Sequence, residues 1–388
     1  MFASAQHINR DSYYGGGQDP NAYGNTTDLN WMAGSQYVYS FGKCIFMPAD
    51  LTAGIEFNQD KLEDNMWGYH RTVDQKVNIG SAFFQNEWKN EHWGFLIGGR
   101  LDKHNLIDHV IFSPRANLRY NPTENINLRF SYSSGFRAPQ AFDEDLHVEN
   151  VGGNVAMVEL ADNLKEERSQ SLSASADIYH RFGAFQVNFL VEGFYTKLSD
   201  VFALTDGEVV DGILTRTRYN APGARVMGLT LEGKMAYLTK FQVQAGVTLQ
   251  QSHYSEPHVW NKEAPAVKKM MRTPNTYGYF TATYTPIKPL SIALSGTYTG
   301  SMLVHHKPVP GFLEKPITVN TKDFFDIGLK AAYDFKLYKS MNLQVNAGVQ
   351  NIFNAYQNDF DKGADRDSGY IYGPSLPRSF FAGVKISY

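Results

Sequence analysis

Apolar and polar residues alternate one by one along most of this chain. Between 289 and 299, Leu290, Ile292, Leu294 and Tyr298 fall on one face, with Gly296 among them. Ser291, Ala293, Ser295 and Thr297 fall on the other. Successive side chains of a strand point to opposite faces, so this segment reads as a strand with one oily face and one small, polar face. The reading recurs. Leu172, Ala174, Ala176 and Ile178 oppose Ser171, Ser173, Ser175 and Asp177; Phe241, Val243, Ala245, Val247 and Leu249 oppose Gln242, Gln244, Gly246 and Thr248; Met341, Leu343, Val345, Ala347 and Val349 oppose Asn342, Gln344, Asn346 and Gly348. No long stretch carries the 3.6-residue period of a helix. The one helical feature expected is a short turn near 164–168.

Two architectures alternate in this way. A soluble sandwich packs its oily faces together; a transmembrane barrel turns them to lipid and its polar faces to the lumen. The expected strands run to about 10–14 residues, against an ordinary five or six, and crossing a bilayer at a tilt needs ~9–11. The connections alternate short (88–91, 120–125, 181–184, 238–240, 285–289, 335–340) and long (12–27, 60–74, 135–166, 199–211, 253–273, 302–321, 354–375). Short turns on one side and long loops on the other belong to an outer-membrane barrel. The chain therefore reads as all-β: one transmembrane, antiparallel, up-and-down barrel wall over residues 1–388, with about sixteen strands. One strand, 213–237, is over-long, and Ala221-Pro222-Gly223 marks a bulge or an edge above the membrane. Phe380, Val384, Ile386 and the terminal Tyr388 alternate up to the chain end. That pattern is similar to the signal by which barrel-assembly machinery recognises its substrates.

Composition narrows the classes. The chain has 388 residues, 43% hydrophobic and 19% charged, which is a folding composition and excludes disorder. No segment approaches the ~18–20 apolar residues of a spanning helix. A net charge of −3 gives no footprint for nucleic acid. The single Cys44 forms no intrachain disulfide. The first residues lack the charged and apolar regions of a secretory signal, so either a signal has been removed or the chain starts inside a longer protein.

Four short motifs, in order, resemble the barrel domain of TonB-dependent outer-membrane receptors. Ser134-Gly135-Phe136-Arg137-Ala138-Pro139 resembles a strand-to-loop "GFRAP" run; 223–233 resembles "GARxxGxxxE"; Asn351-Ile352-Phe353-Asn354-Ala355-Tyr356 resembles "NLFNxxY"; 377–383 resembles the last strand before a terminal aromatic. The resemblance implies an outer-membrane receptor that binds a scarce ligand, such as an iron–siderophore, haem or cobalamin, and imports it with energy delivered by the TonB complex. It also implies a plugged barrel of about twenty-two strands. Plug, TonB-contacting segment and about six strands are then missing here, and the contact with TonB would run through the missing plug. Arg137 and Glu232 are expected as a lumenal pair that holds the wall or touches what fills it. The competing class is a passive porin, whose water-filled channel about sixteen strands would suit. No nucleophile arrangement such as Gly-x-Ser-x-Gly supports an enzyme.

Candidate binding residues lie in the long loops. Trp67 and Tyr69, with Tyr13, Tyr14, Tyr23 and Trp260, offer rings for stacking on a small-molecule ligand, in competition with a place for at least half of them in the interfacial aromatic girdle. His305 and His306, with His253 and His258, offer imidazoles; neighbouring strand residues point opposite ways, so the pair is not expected on one ion. Asp359, Asp361 and Asp365 surround Gly363 like a loose Ca²⁺ loop, opposed by Lys362 and Arg366 and competing with a solvated acidic turn. Asp143, Glu144, Asp145, His147 and Glu149 make a further acidic loop.

Overall fold

The computed structural model describes residues 1–13, 22–142, 146, 155–210, 213–261, 263–338, 340–363, 366–367, 369–374 and 376–388. The described strands are β1 (Phe2–Tyr13), β2 (Tyr23–Cys44), β3 (Met47–Met66), β4 (Arg71–Lys89), β5 (Trp93–His104), β6 (Ile111–Thr123), β7 (Ile126–Arg137), β8 (Val155–Leu160), β9 (Glu167–Phe182), β10 (Phe185–Val210), β11 (Ile213–Tyr237), β12 (Phe241–His258), β13 (Val267–Lys269), β14 (Thr276–Ile287), β15 (Leu290–Thr299), β16 (Leu303–His306), β17 (Ile317–Asn320), β18 (Phe324–Tyr338), β19 (Met341–Gln350) and β20 (Ser379–Ser387). Four of these twenty (β8, β13, β16 and β17) are short pieces between long strands, which leaves sixteen that make the wall. Each long strand pairs antiparallel with the next. Among the described residues β1 pairs only with β2, and β20 only with β19, so the sheet has two free ends.

The register sorts side chains into two faces. Ile178, Phe189, Gly233, Ala245, Phe280, Gly296 and Ile327 form one row across neighbouring strands. One residue along, the row reads Asp177, Leu190, Glu232, Gly246, Tyr279, Thr297 and Asp326. The first face is oily and exposed, the second mostly polar, and lipid outside with a wet lumen inside accounts for both. β20 repeats the pattern: Phe380, Val384 and Ile386 are 79%, 68% and 63% exposed. Aromatic rings gather near the short turns. Phe46 stacks on Trp88 at 5.6 Å, Trp93 on Tyr120 at 4.1 Å, and Phe185 lies 4.6 Å from Tyr237. Such rings anchor a barrel at the membrane–water boundary. The short turns are locally fixed: Asn90 Oδ1 accepts from the backbone N–H of His92 and Trp93 at 2.9 and 2.7 Å.

Several expected loops are strands. β2, β3 and β4 have 22, 20 and 19 residues, and β10 and β11 have 26 and 25. Crossing a bilayer takes ~9–11, so these hairpins project well beyond it at the long-loop end. The segment 60–74 is paired up to Met66↔Arg71, and 199–211 is mostly strand. Alternation of oily and polar residues disappears there because both faces meet water. The expected turn near 164–168 sits earlier: Leu164 N–H donates to Ala161 O, and Glu167 already pairs with Arg137. Ala221-Pro222-Gly223 does not break its strand. β11 keeps one register with β10 from Arg216 to Tyr237. Its other edge carries β8, in parallel, over 213–218 and β12 over 224–237. Pro222 lies in the window between these partners, where its missing N–H costs no ladder bond on that side.

Candidate functional site

The loops at the long-loop end fold onto one another around β16 and β17. Met302, Val304, Phe324, Tyr370 and Tyr372 form a buried cluster there. Above it, the two adjacent histidines of β16 face different neighbours, as alternation requires. His305 stacks flat on Trp260, with centroids 4.0 Å apart. His306 stacks on Tyr370 at 3.8 Å, and its Nε2 lies 2.9 Å from Asp361 Oδ2. One hairpin is thereby tied to the loop before it and the loop after it. Arg272 strengthens the second tie by donating to the carbonyls of Ile371 (2.7 Å) and Gly369. Lys307 N–H donates to Asp367 Oδ2 at 2.8 Å.

Beside Trp260 opens a cavity of about 300 Å³. Tyr219, Pro222, Tyr254, His258, Trp260 and Glu256 are among its walls. The Tyr254 and His258 rings are 5.2 Å apart. Burial holds His258 below its ordinary value and pushes the Tyr254 hydroxyl up. His305 is pushed down to about 4, chiefly by burial and then by the charges of Arg272, His258, Arg216 and Lys307. Its Nε2 is buried without a hydrogen-bond partner among the described residues. The arrangement offers aromatic faces and neutral imidazole in a positive field, which suits an anionic chelate with flat groups.

The remaining expected residues are dispersed. Trp67 and Tyr69 lie in a 3₁₀ turn, Trp67–Tyr69, between β3 and β4. Trp67 is exposed, whereas Tyr69 packs against Met66 and Met157. Arg137 and Glu232 are not partners. The Arg137 guanidinium lies 3.8 Å from the Phe142 ring at the long-loop end. Glu232 pairs with Lys234 at 2.7 Å and accepts from the Tyr279 hydroxyl, five residues from the short turn after Tyr237. The two sit near opposite ends of their strands, so no pair forms.

Asp359 accepts from the hydroxyls of Tyr372 (2.6 and 2.7 Å) and Tyr370 (3.2 Å). Burial pushes its carboxyl up, but these hydroxyls outweigh that and hold it below the ordinary range. Asp361 is engaged with His306 and with the N–H of Asp367. Asp365 lies outside the described residues, as do Tyr14 and the acidic run at Asp143, Glu144, Asp145, His147 and Glu149. Among the described residues no group of three or more His, Cys, Asp or Glu is placed to hold a metal. The two described aspartates are spent on protein donors instead of converging on one point. Tyr219 and Tyr254 escaped sequence reading because they sit on separate strands, β11 and β12, and only the register brings them to one cavity.

The fold matches known proteins. The family model described as "TonB dependent receptor-like, beta-barrel" matches residues 2–352, so the chain belongs to that family, whose members are transporters and not enzymes. No curated protein sequence matches it. Among solved structures it is similar to the siderophore receptor PirA from Acinetobacter baumannii, at 16% identity and TM-score 0.67, covering 98% of this chain and 59% of that one. It is also similar to a mutant of the ferric enterobactin receptor PfeA from Pseudomonas aeruginosa (17%, TM-score 0.68, 98% and 58%). The ferric-catecholate import receptor Fiu from K12 E. coli is a third (15%, TM-score 0.67, 98% and 60%). At these identities the likeness shows the fold. The chain spans about three-fifths of the length of these structures.

Proposed function

We propose that this chain is the barrel part of an outer-membrane receptor that captures an iron–siderophore and takes it up with energy delivered through TonB. The observation that carries the reading is the cavity at the long-loop end: Tyr219, Tyr254, His258 and Trp260 line it, and the charges of Arg272, Arg216 and Lys307 act on the neighbouring His305. Flat, anionic iron chelates meet both needs of such a site, stacking and charge. Membership of the receptor family and likeness to three siderophore receptors support the same reading. The lipid-facing wall supports an outer-membrane location.

The test is equilibrium binding to cells that display the whole receptor. Ferric tris-catecholate, ferric tris-hydroxamate, haemin and cyanocobalamin are offered in turn. One of the two iron–siderophore probes should bind, and Trp260→Ala should weaken it roughly tenfold, the scale of one lost aromatic contact of ~1.4 kcal/mol. Binding of neither siderophore probe, or a steady conductance indifferent to all four, contradicts the proposal.

A further inference from the structure

The outward face of the wall carries a second feature, separate from the cavity. Lys197 on β10 lies directly opposite Arg225 on β11; Arg225 lies opposite His253 on β12; His253 lies opposite Lys269 on β13. Four basic side chains thus stand in one row across four strands. Neighbouring strands are ~4.8 Å apart, so the row is about 14 Å long. Like charges directly opposite each other destabilise a sheet unless something neutralises them. Among the described residues, none of Lys197, Arg225 and Lys269 has an ion-pairing carboxylate within reach.

The height of the row is informative. On β10, Phe185, Val187, Phe189, Val191, Gly193 and Tyr195 face outward below Lys197; on β11, Tyr237, Met235, Gly233, Leu231, Leu229 and Met227 face outward below Arg225. Each run covers about the 9–11 residues that cross a bilayer. The row therefore stands where hydrocarbon ends and outer headgroups begin. No Asp or Glu faces outward on β9 to β12 between this row and the short turns. Elsewhere the charges balance: Lys61 opposes Lys76 on the outward face of β3 and β4, but Glu63 opposes Asp74 one row further out.

We infer that the row Lys197–Arg225–His253–Lys269 is a binding site for the phosphate of an outer-leaflet lipid, with the acyl chains lying on the oily face below. Arg gives planar, paired donors to phosphate, and the two lysines add point charges on either side. At the surface of a membrane each such cation also gains from anionic lipid.

The test uses the whole receptor extracted in neutral detergent and titrated with phosphatidic acid or phosphatidylcholine. Bound lipid is counted by native mass spectrometry. The native protein should retain phosphatidic acid at least tenfold more tightly than the triple variant Lys197→Gln, Arg225→Gln, Lys269→Gln, with phosphatidylcholine indifferent to the change. The charge-conserving pair Lys197→Arg, Lys269→Arg should keep native retention. Should the triple variant fail to fold, Arg225→Gln alone is read, with at least a threefold loss expected. Equal retention by native and neutralised chains overturns the inference. Displacement of the lipid by an equal concentration of inorganic phosphate overturns it too, because the site would then take the free anion.

Discussion

Single residues explain why short motifs survive in this wall. Gly223 has φ of +147°, and a Cβ there would meet the carbonyl of Leu198 at 2.5 Å. Gly228 is pressed between the Leu249 carbonyl and the Phe194 ring, at 2.5 and 2.7 Å from where a Cβ would stand. Both belong to the "GARxxGxxxE" run, whose Arg225 faces lipid headgroups and whose Glu232 faces the lumen. Asn351 is the clearest case. It sits at φ +50°, is 2% exposed, donates to the carbonyls of Ala355 and Leu376, and accepts from the Ala355 N–H. Truncating it leaves these groups unpaired. Asn351→Ala should cost about 2–3 kcal/mol, since each orphaned buried group costs ~1–3. A lowered urea midpoint for the detergent-folded chain checks it. Such roles were legible in the motif as residue types. Their partners were not, because Leu198, Leu249 and Leu376 lie far away in sequence.

At the scale of elements, alternation located the wall strands but not their outer ends. Between Phe185 and Tyr195 the odd positions, which meet lipid, are apolar or glycine throughout, and the even positions are polar except at Leu190 and Phe194. Beyond Lys197 both faces meet water, and the strand continues to Val210 without a signal. The same physics hid the projecting hairpin of β3 and β4. The outer loops, by contrast, are joined by side chains: His305 to Trp260 and His306 to Tyr370 and Asp361. A proton acts on the first of these contacts. His305 titrates at about 4 in the folded loops against an ordinary 6.5, so the folded form binds protons more weakly than the opened one. Loop closure is therefore at full strength above about pH 6.5 and weakens as pH falls toward 4. The emission of Trp260, read against a Trp260→Phe background, should shift over that window. His305→Phe keeps a ring on the indole and should abolish the shift; an unchanged shift would remove His305 as its source.

For the whole molecule, length and pattern together carried most of the result. Sixteen wall strands, antiparallel in sequence order, follow from periodicity and turn spacing. The candidate site did not follow, because a mouth assembled from β10, β11, β12 and the loop at Trp260 exists only once register is known. The opposite placement of Arg137 and Glu232 has the same origin: a sequence gives their types, not their height in the wall. The central claim is that one face of this sheet meets lipid and the other an aqueous lumen, with the boundary at Lys197. It is tested by spin labels placed singly at every position from 185 to 199 on β10, in the membrane-embedded whole receptor with Cys44 replaced by Ser. Oxygen, which collects in lipid, should relax labels at the odd positions from Phe185 to Tyr195, and a water-soluble nickel chelate should relax the even ones. At Lys197 the outward face should become accessible to the chelate. Accessibility without a period of two, or with odd and even positions exchanged, would contradict the account.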